Sequence, residues 1–238
     1  MCLYLQRLLS YTRRAVDDFQ MIQSGDHIAV GVSGGKDSMT LMLALNQLRR
    51  FYPNPFQLTA ICLTMGYEDV DYRPLRQLCE ENDIPFVLYP TQIAEIIFDV
   101  RKEPNPCSLC AKLRRGILHN VAVANGCNKV ALGHHMDDVI ETFLLCLLHE
   151  GRISCFSPVT HLDRKNIHLI RPFIYLPEKE IKRYVRANQL PVIYNPCPAN
   201  GHTQRQYVKE LLADLGKTHK GLKKRIFRAV ANSKIEDR

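Results

Sequence analysis

The sequence predicts a doubly wound α/β fold, a parallel sheet with helices on both faces. Three observations predict it. From about residue 25 to residue 150, short apolar and β-branched runs alternate with segments of helical periodicity, and such alternation builds parallel sheets through βαβ units. The run His27-Ile28-Ala29-Val30-Gly31-Val32 is apolar without a break after its first residue, as a strand buried on both faces is. The two turns richest in glycine and charge follow predicted strands, where open sheets bind their ligands.

Leu3 to Met21 reads as a helix with Leu5, Leu8, Leu9, Val16 and Phe19 along one stripe. His27 to Val32 is a strand bounded by Gly25-Asp26 and a glycine-rich turn, and Ser38 to Phe51 returns to helical spacing. Phe56 to Leu63 is a strand, Tyr72 to Asn82 a helix and Phe86 to Tyr89 a strand. A loop with Pro104, Pro106 and two cysteines precedes a helix over Ala111 to Asn125, a strand over Lys129 to Leu132 and a helix over Asp137 to His149. Past Gly151 the pattern loosens into a final strand at His168 to Pro172, a helix at Pro177 to Asn188 and a loop at Pro191 to Gly201. A basic helical tail runs from about Thr203 to Ala231. The expected division is an N-terminal helix over 1–24, an α/β domain over 25–176 and a helical C-terminal segment over 177–238.

Composition sets outer bounds. A chain of 238 residues, 46% hydrophobic and 24% charged, is neither a disordered tail nor a collagen-like fibre, and it can bury a core without metal or disulfide help. Lys and Arg number 32 against 24 Asp and Glu, a net charge of +8. That surplus fits a polyanionic partner, because phosphates are held mainly by Lys and Arg; it fits a merely soluble basic protein as well. No run of about 20 apolar residues predicts a membrane span. The apolar stretch before Arg7, Arg13 and Arg14 is too short for a signal peptide. Nine cysteines without an export signal predict a cytoplasmic protein whose thiols are buried, reactive or metal-bound.

Ser33-Gly34-Gly35-Lys36-Asp37-Ser38 joins the first strand to a helix start. Two glycines let successive N–H groups turn inward on an anion, the helix N-terminus adds partial positive charge, and Lys36 adds a full one. The Walker pattern fails because Asp37 follows the lysine. Gly133-His134-His135-Met136-Asp137-Asp138 ends the Lys129 strand. Its adjacent carboxylates suit Mg²⁺ between enzyme and triphosphate, or helix capping.

Cys107-Ser108-Leu109-Cys110 spaces two thiolates to meet one metal, and Cys197 lies between two prolines in an irregular loop. The remaining six (Cys2, Cys62, Cys79, Cys127, Cys146, Cys155) fall mostly in apolar segments and read as buried thiols. Three thiolates leave one position open on a tetrahedral zinc or on one iron of a cubane cluster, and the residue types alone do not choose between the metals.

Ser33 to Ser38 is similar to the SGGKDS signature of the PP-loop enzymes, which split ATP between its α- and β-phosphates and adenylate a carbonyl or ureido oxygen. The resemblance implies that Ser33, Gly34, Gly35, Lys36, Asp37 and Ser38 grip pyrophosphate. GHHMDD resembles the GHxxDD motif of the same superfamily, which places Gly133 and His134 at the nucleotide and gives Asp137 a catalytic or magnesium role beside Asp138. The succession of PCSLC with Ala111 to Gly116, GHHMDD, Ile170-Arg171-Pro172, Cys197 and Gln204-Arg205-Gln206 resembles the tRNA 2-thiocytidine synthetase family in order, from about Gly25 to Leu212. That resemblance implies ATP, Mg²⁺ and a [4Fe–4S] cluster on Cys107, Cys110 and Cys197, with sulfur replacing the C2 oxygen of an anticodon-loop cytidine. It also implies a sulfur donor, such as a cysteine desulfurase or free sulfide, and a homodimer. Tyr194 stands where many members carry a further cysteine, and Leu63-Thr64-Met65 follows the second strand where an acidic residue is expected.

RNA phosphates would meet Lys112, Arg114 and Arg115 beside the cysteines, then Arg171 and Arg205, and the tail residues Lys220, Lys223, Lys224, Arg225 and Arg228. Each alone is an ordinary surface charge; at helical spacing the tail forms a patch. Two other readings share these residues: another PP-loop tRNA enzyme, of 2-thiouridine or lysidine type, with structural zinc, and a non-catalytic RNA- and metal-binding protein.

Overall fold

The computed structural model describes residues 3–67, 69–199, 204–233 and 236–237. Cys2, Asn200, Gly201 and Thr203, assigned above to a thiol, a loop end and the start of the tail, lie outside the described residues.

Helix α1 (Leu3–Asp18) leads into β1 (His27–Gly31), α2 (Lys36–Leu48), β2 (Gln57–Leu63), α3 (Arg73–Glu80) and β3 (Phe86–Tyr89). A turn α4 (Ile93–Glu95) runs on as a wider helical turn over Ile96–Val100. Then come α5 (Pro106–Ala124), β4 (Lys129–Ala131), α6 (Met136–His149), β5 (Ser154–Cys155), β6 (Val159–Leu162) and β7 (Ile167–Ile170). The chain continues through α7 (Glu178–Asn188), α8 (Gln204–Thr218), α9 (Leu222–Asn232) and β8 (Glu236–Asp237), which pairs with β5.

The main sheet has the order β3-β2-β1-β4-β7-β6. Its first five strands pair in parallel, and β6 closes one edge antiparallel to β7. The expectation of a parallel sheet is corrected at that edge: β6 is short and only half-buried, with His161 exposed, so it lacks the apolar run that marks an interior strand.

Alternation along each strand sorts the core into two layers. Ile28 and Val30 of β1, Leu58, Ala60 and Cys62 of β2, Ala131 of β4 and Ile170 of β7 face the layer of α1, α2 and α7. Ala29, Ile61, Val130 and Leu169 face α5 through Leu118, Val121 and Ala122. Helix α2 is buried almost throughout, which is why its segment reads apolar on every face. A third cluster joins Met136 and Ile140 of α6 to Val208 and Leu212 of α8, with Leu222, Ile226 and Phe227 of α9 packed against it.

Three expectations change. Helix α5 begins at Pro106, so Cys107 and Cys110 stand on its first and second turns rather than in a loop; proline at the first helical position costs no hydrogen bond. The stretch Ile93–Val100 is helical. The basic tail is two helices, broken at Gly221, whose φ of +76° suits glycine.

The strand order reverses between β1 and β4, whose neighbours run outward in opposite directions. Open α/β sheets bind ligands in the crevice outside such a reversal. Both glycine turns follow these two strands.

Candidate active site

The Ser33–Ser38 loop braces itself. Ser38 Oγ donates to Gly35 O at 3.1 Å and accepts from Ser33 N at 3.1 Å, so the hydroxyl ties both ends of the turn. Gly34 adopts φ +78°, and a Cβ there would lie 2.7 Å from Ile193 Cβ. The turn of the loop and the approach of a second segment both demand glycine. Ile193 N donates to Gly34 O at 2.9 Å, so the Pro191–Cys197 segment lies across the loop.

Gly133 ends the other arm of the crevice. A Cβ on it would stand 3.1 Å from Ser38 N, so the two turns touch backbone to backbone. His135 caps α6: its Nδ1 accepts from Asp138 N at 3.3 Å, and Asp138 Oδ2 accepts from His135 N at 2.9 Å. This reciprocal pair satisfies helix-end donors, and it commits Asp138 largely to capping.

Asp137 is buried, and both of its oxygens are engaged. Oδ2 accepts from Glu178 N at 2.8 Å, capping α7, and Oδ1 accepts from Lys223 Nζ at 2.6 Å. Burial alone would raise its carboxyl, but the Glu178 amide and the Lys223 ammonium outweigh that and hold it below the usual carboxylate range.

Lys36 projects from the start of α2 and bridges Asp37 Oδ2 at 2.8 Å and Glu178 Oε1 at 3.0 Å. Lys182 holds the other Glu178 oxygen at 2.9 Å. Desolvation would raise Glu178, yet its two lysines take it down to about 2. Burial opposes the charge on Lys36, but Asp37 and Glu178 prevail and raise it, so the ammonium stays protonated. Asp37 Oδ1 is buried and has no hydrogen-bond partner among the described residues, with His135 Nε2 3.7 Å away. A buried carboxylate oxygen without a donor is an opening for a cation. His134 lies against Phe156 with the ring planes tilted by 35° and centroids 4.9 Å apart, and burial pushes it down to about 4, so it is neutral.

Two cysteine-bearing segments meet beside this crevice. Cys107 is exposed, while Cys110 and Cys197 are partly covered. Burial pushes the Cys110 thiol up; the Arg114 guanidinium opposes it, and Cys197 and Cys107 are both near enough to add to the rise. The Tyr67 phenol is held above its ordinary value by burial and by the adjacent Cys197 and Cys110 thiols. The three cysteines thus share one neighbourhood, with Arg114 and Tyr67 at its rim. Among the described residues no three His, Cys, Asp or Glu side chains converge as closely as one metal ion requires. A cubane makes a different demand, since each thiolate binds its own iron. The other described cysteines are buried, and burial lifts Cys62 to about 12 and Cys79 and Cys127 to about 11, as inert packing thiols require.

The basic residues divide. Lys112, Arg114 and Arg115 are exposed on α5, as are Lys220, Lys224, Arg225 and Arg228 around α9. Arg171, expected at the RNA surface, is instead buried, and its guanidinium donates to Ser157 O and to Thr160 Oγ1 at 3.1 Å. Arg205, also expected there, ties α8 to α6 through Glu141 Oε2 at 3.1 Å and Thr142 Oγ1 at 3.1 Å. Glu141 is itself buried, and removing a buried acid from water requires such a partner.

Sequence reasoning missed Glu178, Ile193 and Tyr67. Only Glu178 left a signal, an acidic residue in the first turn of a helix that also follows the last parallel strand. The other two depend on contacts between distant segments.

Comparison with known proteins agrees with this geometry. The model of the PP-loop domain matches residues 8–215. The tRNA-cytidine(32) 2-sulfurtransferase of Geobacter sulfurreducens is 39% identical over 222 residues, 92% of this chain and 86% of the relative. Its namesake in Coxiella burnetii is 36% identical over 235 residues, 96% of this chain and 90% of the relative. Among solved structures, the U34-tRNA thiolase NcsA of Methanococcus maripaludis, with its [4Fe–4S] cluster, superposes with a TM-score of 0.79 at 26% identity, covering 96% of this chain and 78% of that one. The chain therefore belongs to the PP-loop family and, within it, to the tRNA-cytidine(32) 2-sulfurtransferase family.

Proposed function

We propose that this protein uses ATP to replace the C2 oxygen of cytidine 32 in tRNA with sulfur. One observation carries the reading. The Ser33–Ser38 loop, its Gly133 counterpart and the segment bearing Cys197 are in direct backbone contact, through Gly133 against Ser38 N and Ile193 N on Gly34 O, so phosphate and thiol chemistry share one crevice.

The C2 oxygen is a poor leaving group. Its attack on the α-phosphorus forms an O–P bond and breaks the α–β bridge, releasing pyrophosphate. The loop N–H groups and the α2 N-terminus receive that charge, and Lys36 leaves Glu178 and Asp37 to join them. Sulfide then adds at C2 and AMP departs with the former C2 oxygen, so the carbon is never oxidised or reduced. Free sulfide supplies the sulfur at the level this step needs; persulfide sulfur from a cysteine desulfurase must first be reduced to sulfide by two electrons from a thiol pair, which leaves as a disulfide.

Asp37 and Asp137 are the carboxylates suited to Mg²⁺: Asp37 Oδ1 has no donor among the described residues, and the Lys223 ammonium already stands on Asp137 Oδ1 as a cation would. Asp138, occupied in capping, is the weaker candidate. A [4Fe–4S] cluster on Cys107, Cys110 and Cys197 would supply one iron without a protein ligand, open to the sulfide being transferred. Exposed Lys112, Arg114 and Arg115 beside the thiols, and the cations of α9, suit the phosphates of an anticodon arm. An anticodon loop already presents unpaired bases, so little pairing energy opposes entry.

The test is nucleoside mass spectrometry after reconstituted protein is incubated with unmodified tRNA, ATP and sulfide. The reading expects 2-thiocytidine that depends on ATP and vanishes with Cys197→Ala. AMP release with no thiolated nucleoside, or the product persisting in Cys197→Ala, would overturn it.

A further inference from the structure

The helix that carries the basic tail also reaches the reaction site. Lys223 Nζ lies 2.6 Å from Asp137 Oδ1, and the Lys223 side chain is 44% exposed against 8% for Asp137. The side chain therefore meets the buried carboxylate at its tip while much of its surface faces solvent. Flanking it in sequence are the exposed cations Lys220, Lys224 and Arg225, with Arg228 one turn on.

Helix α9 contains no fully buried side chain; it packs on α6 through the partly covered Leu222, Ile226 and Phe227, and Phe227 and Val230 also reach the main core. Gly221, in the left-handed region, joins it to the preceding turn. The Lys223 side chain is long and 44% exposed, so a change of its own rotamers makes and breaks the Asp137 contact without moving the helix or disturbing the core.

We propose that Lys223 makes ATP cleavage conditional on bound RNA. Without RNA, its ammonium occupies Asp137 Oδ1, one of the carboxylate oxygens the reaction needs. Phosphates arriving on α9 compete for the same ammonium and draw it away, which frees Asp137 when an acceptor base is present. The device rests on the thiolation reading above and adds to it a safeguard against wasteful cleavage. In that side reaction water attacks the α-phosphorus, the α–β bridge breaks, and AMP, pyrophosphate and a proton are released.

Lys223 is accordingly a positioning residue, acting through Asp137. The experiment compares AMP formation from ATP with and without an anticodon stem-loop RNA, for the wild type, Lys223→Met and Lys223→Arg. The wild type is expected to be stimulated at least tenfold by RNA. Lys223→Met is expected to form AMP without RNA at a rate within a few-fold of the stimulated one, and Lys223→Arg to restore RNA dependence. A purely structural lysine would lower both rates together. Equal RNA dependence in Lys223→Met and the wild type would overturn the proposal, as would loss of AMP formation under both conditions in a variant that melts like the wild type. If the wild type itself forms no AMP with RNA, the adenylation reading fails first, and the Lys223 variants are not what shows it.

Discussion

Ile193 rests on Gly34. Its amide donates to Gly34 O at 2.9 Å, and its Cβ would stand only 2.7 Å from a Cβ on residue 34. The phosphate loop and the segment leading to Cys197 are therefore in direct contact, and a single methyl group at residue 34 would force them apart. Gly34→Ala places an alanine at φ +78°, at a cost of about 1–2 kcal/mol before Ile193 is displaced. The expected outcome is a melting temperature lower by roughly 2–8 °C, with nucleotide binding lost in a calorimetric titration. Wild-type ATP affinity in Gly34→Ala would contradict the contact's importance.

Glu178 gives the site a definite acid response. Its carboxyl drops from the ordinary 4.5 to about 2 in the folded chain. A group whose folded pKa is depressed stabilises the fold above its unfolded pKa and loses that contribution as pH falls through the folded one. The contribution is thus complete above about pH 4.5 and fades down to about pH 2; allowing for solvent screening it amounts to about 1–2 kcal/mol. Thermal melts from pH 6 to pH 2.5 should show the wild type losing more stability below pH 4.5 than Glu178→Gln. Parallel curves would argue against the Lys36–Glu178–Lys182 arrangement.

Away from the site, Lys129 and Asp26 form a buried pair at 2.7 Å, with side chains 8% and 6% exposed. Lys129 also donates to Met21 O at 2.9 Å, and Asp26 Oδ1 accepts from Asn128 at 2.8 Å. Lys129→Met would leave Asp26 charged and buried, costing about 3–5 kcal/mol. Chemical denaturation should show that loss, with the midpoint falling and the slope unchanged.

RNA affinity should depend steeply on salt. Lys224 and Arg228 are exposed on one helix, and each phosphate contact contributes about 0.7–0.9 to the slope of log affinity against log salt. Fluorescence anisotropy of Lys224→Ala/Arg228→Ala should give weaker binding and a slope shallower by about 1.5. Arg171→Lys, buried inside the fold, should change stability rather than that slope. An unchanged slope in the double variant would remove α9 from the RNA-binding surface.

Local signals were legible where one segment carries its own physics. The β1 run and the glycine turn behind it could be read directly, since a buried strand is continuously apolar and an anion-binding turn needs glycine and a cation. Cys197 stood out because prolines flank it. Helix α5 was read too short because Pro106 resembles a loop residue until its place at the first helical position is known. The edge strand β6 escaped notice because half-exposed residues such as Thr160 and His161 carry no apolar pattern. Long-range pairings were invisible for a different reason. Arg205 meets Glu141 across 64 residues and Lys223 meets Asp137 across 86, and no spacing rule links positions so far apart. Arg171 shows the same limit, since a buried arginine and a surface arginine look identical in a sequence.

The three thiols carry the proposed chemistry, so the decisive measurement is iron and acid-labile sulfide per chain after anaerobic reconstitution, in the wild type and in Cys197→Ala. About four of each are expected in the wild type and their loss in the variant, with the melting temperature preserved. Zinc in place of iron with no sulfide, or a full cluster retained by Cys197→Ala, would contradict it.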